Sequence, residues 1–252
     1  MAVPDTQDTG WAVLVIRVLF CGVEEGVRLQ VRELMKRQEP IMLIEKVGIR
    51  YDIDPKELID RTTMMEGAFE SRMVKMTESL LKHGDIAVDV GANIGTYSLR
   101  WAKVVGERGK VIAFEPMAFA YAKLTRNIEL NGFKNIDVHR KAVSDITDRQ
   151  EVWFRSSWIL KEGAYGTIPE SSRPELVEFV RLDDIIKGDV ALIKIDVDGF
   201  EMNVLNGAKD IINRCHPALM VEINEPKTQT YIESLGYRAI FTHTHNCLFI
   251  WT

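Results

Sequence analysis

The sequence predicts an α/β fold in which a mostly parallel β-sheet carries helices on both faces. From residue 85 onward, short apolar segments of strand length alternate with longer amphipathic segments of helix length, a pattern typical of strand–helix–strand units. The first of these strands ends on a glycine-marked turn that leads directly into a helical pattern. With 252 residues, of which 46% are hydrophobic and 27% charged, the chain suits one α/β domain with an N-terminal extension.

Seven strands and four helices are predicted for this domain. The strands are expected at residues 86–90, 111–114, 136–140, 190–195, 218–223, 237–242 and 247–251. The helices are expected at residues 96–105, 117–131, 200–213 and 226–235. Because only a short loop joins the last two strands, we expect them to pair as an antiparallel hairpin at one edge of the sheet.

A segment before this domain and an insertion within it are also predicted, and we place the domain at residues 83–252. Residues 1–82 are expected to form an N-terminal helical cap, helical from the start through residue 48. An insertion at residues 150–186 holds a predicted strand pair, 151–154 and 176–180, around a polar loop. We expect the cap and the insertion to cover the substrate. Aromatic residues of the insertion either stack on that substrate or only fix the insertion in place; they are Trp153, Trp158 and Tyr165.

Charge and cysteine content narrow the range of partners and compartments. The formal net charge is −5 and no basic stripe is present, which argues against a nucleic-acid partner. Cys21, Cys215 and Cys247 lie far apart and form no CxxC motif, which favours a reduced, cytoplasmic setting.

An apolar segment at residues 11–22 imitates a targeting signal. A bilayer-spanning helix needs roughly 20 apolar residues, and this segment is shorter and is interrupted by Arg17. Asp5 and Asp8 precede it, whereas a secretory signal begins with basic residues. We therefore expect no membrane span here, and we interpret the segment as a docking helix or a homodimer contact.

The glycine-marked turn is formed by Gly91, Asn93 and Gly95, and Thr96 begins the helix after it. Glycine reaches positive φ without strain, and asparagine tolerates it better than most residues. A turn of this kind between a strand and a helix lets a nucleotide-like ligand lie against the backbone. Glycine turns also join strands to helices for purely structural reasons. The neighbouring motifs are therefore needed to distinguish a ligand-binding turn from a structural one.

An acidic residue follows the turn at an informative distance. Glu115 ends the next strand, 115 − 95 = 20 residues past Gly95, where a carboxylate can accept hydrogen bonds from both ribose hydroxyls of an adenosine. The alternative is a carboxylate stabilised by the dipole of the following helix. Glu115 and its neighbour Pro116 are thus candidate cofactor-binding residues.

A nicotinamide dehydrogenase and an S-adenosylmethionine-dependent methyltransferase both use this layout. Asn93 breaks the glycine triplet that a dinucleotide pyrophosphate requires. Asp89, just before the turn, suits the positive amino group of a methionine better than a pyrophosphate. The first strand also begins deep in the chain, after the cap. These points favour S-adenosylmethionine.

The third predicted strand ends in a second candidate cofactor motif. The backbone of Ala142 and Val143 is placed to flank an adenine ring, and Asp145 to accept a hydrogen bond from its amine. An ordinary Ser–Asp turn explains the same residues equally well.

The carboxyl ends of the fourth and fifth strands carry several acids. Lys194, Asp196 and Asp198 alternate and therefore share a face, and Glu222 ends the next strand. The three carboxylates are candidates to deprotonate a hydroxyl group, to hold a sulfonium cation or to bind Mg²⁺. A plain polar rim is the alternative.

Two histidines at the last hairpin also alternate. His243 is a candidate general base, after Asp196 and Asp198, and together with His245 a candidate metal ligand. Partly exposed polar groups of a hairpin are the alternative.

Taken together, these motifs resemble the FkbM family of S-adenosylmethionine-dependent methyltransferases. The motifs that carry the resemblance are residues 89–98, 114–116, 142–145, 182–184 and 193–201, and the likeness extends over residues 47–250. The resemblance implies a Rossmann-like class I methyltransferase fold with seven strands. It also implies O-methylation of a hydroxyl group on a sugar or a polyketide-type natural product.

The resemblance implies one further site residue, Glu70, and the sequence departs from the family pattern at one position, Asp198. The family carries an aromatic–Glu pair before the first helix of the fold, which Phe69-Glu70 matches, so Glu70 is expected to help close the cofactor pocket. Asp198 stands where the family usually has Glu. A nicotinamide-dependent oxidoreductase and a non-catalytic cofactor-binding protein remain as alternatives, and the intact Asn93, Glu115 and Asp196 argue against the second.

Overall fold

The computed structural model describes residues 14–17, 42–54, 57–153 and 174–252. The strands, in chain order, are β1 (Leu14–Arg17), β2 (Met42–Lys46), β3 (Ile49–Ile53), β4 (Ile86–Val90), β5 (Lys110–Phe114), β6 (Ile136–His139), β7 (Ala142–Val143), β8 (Asp148–Val152), β9 (Glu175–Val180), β10 (Val190–Ile195), β11 (Ala218–Glu222), β12 (Tyr237–His243) and β13 (Asn246–Trp251). The helices are α1 (Leu58–Glu66), α2 (Ser71–Leu80), α3 (Thr96–Val105), α4 (Ala118–Asn131), α5 (Leu182–Ile185), α6 (Glu201–Asn206), α7 (Lys209–Cys215) and α8 (Pro226–Ser234).

The central sheet has seven strands in the order β12-β13-β11-β10-β4-β5-β6. β4, β5, β6, β10 and β11 run parallel, and β13 is antiparallel to both of its neighbours. All seven predicted strands are confirmed. The predicted hairpin also forms, but β13 lies inside the sheet and only β12 is at the edge. This order follows from burial, because β13 buries its first four residues whereas β12 alternates between covered and exposed positions.

The prediction that residues 1–48 are helical is wrong wherever the structure describes them. Residues 14–17 and 42–46 are strands, and β1, β2 and β3 form a separate three-stranded sheet. Val47 and Gly48 turn the chain between β2 and β3, both at positive φ. The segment predicted as a docking helix is therefore a strand in its described part, and its remaining residues lie outside the described ranges. Two helices, α1 and α2, do form in the second half of the predicted cap.

The predicted insertion forms its strand pair. β8 and β9 are antiparallel, and β7 joins β9 in parallel, so that a second three-stranded sheet results. Trp153 follows β8 and is exposed. The loop at residues 154–173, with Trp158 and Tyr165, lies outside the described ranges.

The third predicted helix is divided into α6 and α7 at Gly207 and Ala208. A Cβ atom on Gly207 would lie 2.0 Å from the carbonyl oxygen of Ser144. The glycine thus permits a close approach between this break and the turn after β7, which the periodicity of the segment does not reveal.

The core lies on both faces of the central sheet. On one face α3 places Trp101, which is fully buried and donates a hydrogen bond from Nε1 to Thr77 Oγ1 of α2 at 3.1 Å. On the other face α6 and α7 bury Val204, Leu205 and Ile211. None of the helices described is long and apolar enough to cross a membrane.

Phe114 and Phe119 provide a matched test of this core. Phe114 ends β5, is 0% exposed and stacks on His139 with 4.9 Å between the ring centroids, whereas Phe119 is 66% exposed on α4. We expect Phe114→Ala to lower the free energy of unfolding by about 3–5 kcal/mol, since it leaves a cavity. Phe119→Ala should change it by less than about 1 kcal/mol. Urea unfolding of both variants checks this, and equal losses would contradict the assigned core.

Candidate functional site

A buried lysine lies at the carboxyl end of the parallel strands. The Nζ of Lys194 donates a hydrogen bond to the carbonyl oxygen of Gly91 at 2.9 Å. The same atom lies 3.4 Å from Asp89 Oδ1 and 3.4 Å from Asp196 Oδ2. Burial opposes the ammonium charge, but the carboxylates of Asp196 and Asp89 outweigh it and raise the pKa of Lys194. The lysine is therefore a fixed cation that joins β4 to β10.

The glycine turn is shaped by a close approach between these two strand ends. A Cβ atom on Gly91 would lie 1.9 Å from the carbonyl oxygen of Asp196, closer than real atoms come. The Asp196 amide in turn donates to the carbonyl of Val90 at 3.2 Å. Gly91, Asn93 and Gly95 all have positive φ, as the sequence predicted. The turn at residues 91–95, called the cradle below, thus packs closely against the end of β10. A side chain at Gly91 would not fit there.

Glu115 is tied to this cradle by its carboxylate. Oε2 accepts a hydrogen bond from the Asn93 amide and Oε1 accepts one from the Met117 amide, both at 2.9 Å. Burial raises the pKa of Glu115 to about 7, although the two amide donors pull it down. The predicted proximity of Glu115 to the glycine turn is confirmed. Its carboxylate stays in one orientation and keeps further lone pairs for a ligand.

Glu70 connects the N-terminal region to the same end of the sheet. Its Oε2 accepts a hydrogen bond from the Tyr97 hydroxyl at 2.9 Å, and its Oε1 accepts one from Asn246 Nδ2 at 2.6 Å. Burial and the Glu70 carboxylate raise the pKa of Tyr97, so its hydroxyl remains a donor. The Tyr97 ring lies below the Lys194 ammonium, with 5.3 Å between Nζ and the ring centroid. Glu70 therefore belongs to the same network as Lys194.

The predicted acidic residues of the rim differ in their surroundings. Asp196 has Lys194 beside it, and Asp198 lies in the following turn at positive φ. Partial burial and the nearby carboxylate of Asp196 raise the pKa of Glu222 to about 7, although a hydrogen bond from Asn224 opposes this. Glu201, which the sequence did not single out, accepts a hydrogen bond from the Gly199 amide at 2.9 Å and so fixes this turn.

The geometry gives the candidate magnesium site at Asp196, Asp198 and Glu222 no support. Across residues 42–54, 57–153 and 174–252, no group of three or more His, Cys, Asp or Glu side chains is placed to hold a metal ion. Among the described residues, no third His, Cys, Asp or Glu side chain completes a metal site with the pair His243 and His245.

The two histidines of the hairpin have different environments. His243 is partly buried at the end of β12, and its Nδ1 is buried with no hydrogen-bond partner among the described residues. His245 is exposed in the turn, where its carbonyl accepts from the Ile223 amide at 2.7 Å. Only His243 therefore presents a buried nitrogen at the site.

The candidate adenine motif is placed on a different sheet. Ala142 and Val143 form β7, which pairs with β9. The Asp145 carboxylate accepts hydrogen bonds from Asn203 at 2.9 Å and from Ser144 at 3.1 Å. The Asn203 amide, followed by Ser144, holds the pKa of Asp145 below its usual range. These contacts explain the motif as a structural turn, and its role towards adenine stays a prediction.

Besides Glu201, sequence reasoning missed three further residues that this site uses. Ser98 donates a hydrogen bond to Asp89 Oδ2 at 2.6 Å, Tyr97 bonds Glu70, and Asn246 joins Glu70 from the far end of the chain. A signal for Asn246 did exist, because a polar residue that opens an otherwise apolar strand needs a partner when the strand is buried. Tyr97 and Ser98 stand inside the turn motif but gave no sign of their partners.

Comparison with known proteins supports the resemblance to the FkbM family. A family model described as the methyltransferase FkbM domain matches residues 89–246. Methyltransferase 1 of Beauveria bassiana (strain ARSEF 2860) is 24% identical over 184 residues, which cover 60% of this chain and 71% of that protein.

Two solved structures share the fold. Methyltransferase FkbM from Methylobacillus flagellatus KT aligns with a TM-score of 0.50 and 24% identity, covering 69% of this chain but only 45% of that one. This chain therefore spans less than half the length of that protein. A putative transferase, PH0793 from Pyrococcus horikoshii, aligns with a TM-score of 0.50 and 14% identity, covering 84% and 71%.

The family model covers more than half of the chain and includes the glycine turn, Glu115, Lys194 and Asn246. The chain accordingly belongs to the FkbM family of S-adenosylmethionine-dependent methyltransferases.

Proposed function

We propose that the protein is an O-methyltransferase that transfers the methyl group of S-adenosylmethionine to a hydroxyl group of a small molecule, a sugar or a polyketide-type natural product. The observation that carries the proposal is the placement of the cradle, Glu115 and the rim carboxylates at one end of the sheet. A methyl donor and a proton-accepting group then face the same space, as transfer to a hydroxyl group requires.

The residues present fit the methyl donor. Gly91 lets the backbone of the cradle lie against the Asp196 carbonyl, where a Cβ atom would come within 1.9 Å of the oxygen. Among the residues described, Thr96 Oγ1 is a buried polar atom without a hydrogen-bond partner, which the polar methionine moiety would satisfy. The cofactor set that we propose comprises Glu70, Asp89, Gly91, Asn93, Gly95, Thr96, Glu115, Pro116, Ala142, Val143, Asp145 and Asp196.

Each part of this set has a distinct task. Glu115 is oriented by two amides and would receive the ribose hydroxyl groups. Asp89 and Asp196 supply negative charge towards an ammonium or sulfonium cation, while Lys194 keeps them from repelling each other. When bound, S-adenosylmethionine supplies an electrophilic methyl group on a positively charged sulfur. Asp196, Asp198 and His243 are the sequence candidates for the proton acceptor.

The proposal also covers the acceptor, the cellular compartment, the oligomeric state and the metal requirement. We infer that the acceptor is a small or glycosylated molecule of natural-product biosynthesis and that the enzyme works in the cytoplasm. The acidic net charge of −5 argues against a nucleic-acid acceptor. A homodimer through the N-terminal segment and a cover formed by the insertion belong to the same proposal. So does activity without Mg²⁺, since the described acids form no metal site.

Transfer of a labelled methyl group tests the function directly. Incubating the full chain with methyl-labelled S-adenosylmethionine and a panel of glycosylated and polyketide acceptors should give a product heavier by one labelled methyl group in mass spectrometry. Calorimetry of the same chain should show binding of S-adenosylhomocysteine and no binding of NAD. Binding of NAD alone would contradict the proposal and support an oxidoreductase, and EDTA should leave turnover unchanged.

Gly91→Ala should weaken cofactor binding by displacing the cradle. The added methyl group would meet the Asp196 carbonyl at 1.9 Å and push β4 and β10 apart. We expect the affinity for S-adenosylhomocysteine to fall by more than about tenfold and the free energy of unfolding by about 1–3 kcal/mol. Gly132→Ala is the control, because Gly132 also has positive φ but nothing lies within 4 Å of its Cβ position. Equal affinities in the two variants would contradict the cradle.

Cofactor affinity should depend on pH through Glu115. The pKa of Glu115 is raised to about 7, so this carboxyl group is protonated below that pH and accepts ribose hydroxyl groups fully only above it. We expect the affinity for S-adenosylhomocysteine to increase about tenfold from pH 6 to pH 8, measured by calorimetry. Glu115→Gln should remove this dependence, and the exposed Glu107→Gln should keep it. The same slope in Glu115→Gln would refute the ribose assignment.

A further inference from the structure

Three polar side chains form a row across β11, β13 and β12, at one edge of the central sheet. Glu222 of β11 lies opposite Asn246 of β13, and Asn246 lies opposite His243 of β12. Directly opposite residues of antiparallel strands point to the same face, with their Cβ atoms about 5 Å apart. The row is therefore continuous, and it lies beside Asp196, which follows the last residue of β10.

Asn246 presents a fixed and unsatisfied acceptor in this row. Its Nδ2 donates to the Glu70 carboxylate at 2.6 Å. Because a carboxylate hydrogen-bonded in this way accepts, the orientation of the amide is settled, and Oδ1 is the free end. Asn246 is only 4% exposed, and its Oδ1 has no hydrogen-bond partner among the described residues. A buried acceptor of this kind is costly unless a ligand donates to it.

His243 repeats this feature on the neighbouring strand. Its Nδ1 is likewise buried and without a partner within the part of the chain that the structure describes. Two adjacent residues of one row thus have polar atoms that the described part of the chain leaves unsatisfied. A ligand that offers hydroxyl or amine hydrogens would satisfy them.

Glu222 differs from Asp196 in having no counter-ion among the residues that the structure describes. Asp196 is 3.4 Å from the ammonium of Lys194, whereas no cation among the described residues forms an ion pair with Glu222. Its Oε2 accepts from Asn224 Nδ2 at 2.9 Å. The charged and titratable groups around Glu222 are Asp196, Asp198, Glu201 and, along the row, His243. Lacking a counter-ion, Glu222 is suited to gain and lose a proton near neutral pH.

We propose that Glu222, Asn246 and His243 form the subsite for the hydroxyl group to be methylated, with Glu222 as the general base. This inference rests on the proposed function and names the residues that serve it on the acceptor side. The subsite requires an acceptor that has at least one further hydroxyl or amine donor near the reacting hydroxyl group, because Asn246 Oδ1 can only accept.

The proton balance of the step follows from this placement. The hydroxyl oxygen forms its bond to the methyl carbon while the bond from that carbon to sulfur breaks, with the electron pair remaining on sulfur. The hydroxyl proton passes to the Glu222 carboxylate and leaves to solvent after the product departs. The carboxylate therefore takes up one proton in each turnover.

Proton release on binding tests this placement without an acceptor. S-adenosylmethionine carries a positive sulfur that S-adenosylhomocysteine lacks, and a cation brought near a carboxyl group lowers its pKa by about 1 or more. The pKa of Glu222 is raised to about 7 by partial burial and the nearby carboxylate of Asp196. At pH 7 we therefore expect S-adenosylmethionine to release about 0.4 proton more than S-adenosylhomocysteine. Calorimetry in two buffers of different ionisation enthalpy measures this difference, and Glu115 cancels because both ligands carry the same ribose.

Matched variants assign the proton. Glu222→Gln should remove the difference between the two ligands while both still bind, and the exposed Glu225→Gln should retain it. His243→Gln should also retain it. A difference that persists in Glu222→Gln, or that disappears in His243→Gln, would overturn Glu222 as the base. If neither ligand binds the wild-type chain, the proposed function fails instead.

Turnover gives an independent readout for the panel acceptor that the wild-type chain methylates. Glu222→Gln should lower kcat by about 100-fold or more and flatten the pH profile, with the affinity for S-adenosylhomocysteine unchanged. Asn246→Ala should mainly raise the KM for the acceptor. An unchanged kcat in Glu222→Gln would overturn the assignment.

Discussion

The buried ammonium of Lys194 is the interaction on which the rest of the site depends. Two carboxylates, Asp89 and Asp196, end neighbouring strands of one sheet, and without a cation between them they would repel each other in a region of low dielectric. Lys194 lies 3.4 Å from each and also bonds the Gly91 carbonyl at 2.9 Å. Removing one member of such a buried set leaves an uncompensated charge, which is strongly destabilising.

The position of Lys194 also distinguishes the carboxylates at this end of the sheet from one another. Asp196 lies 3.4 Å from the Lys194 ammonium. Glu222, one strand further along, lacks such a cation among the described residues, and its pKa is raised to about 7. In the function that we propose, the methyl donor binds at this end of the sheet near β4 and β5, and the acceptor binds near β11, β13 and β12.

The strand order of the sheet explains how Glu222, Asn246 and His243 come to form one row. β13 inserts between β11 and β12, so that its first residue, Asn246, lies at the same end as the last residues of both neighbours. An antiparallel strand at this place brings its amino end to the rim where the parallel strands have their carboxyl ends. Had β12 taken the inner position, Asn246 would not lie between Glu222 and His243, and its bond to Glu70 would have no equivalent.

The sequence by itself determined the features that depend on local spacing. The strands, the glycine turn and the position of Glu115 could be predicted, because apolar periodicity, positive φ and residue count along a strand are properties of short segments. The break between α6 and α7, the strands at residues 14–17 and 42–46, and the contact between Glu70 and Asn246, 176 residues apart, were decided only by the tertiary structure. The tertiary structure also decided that Asp89 and Asp196 share Lys194 as their counter-ion. These features depend on which distant segments are buried against each other, and burial and pairing determine which polar atoms are satisfied.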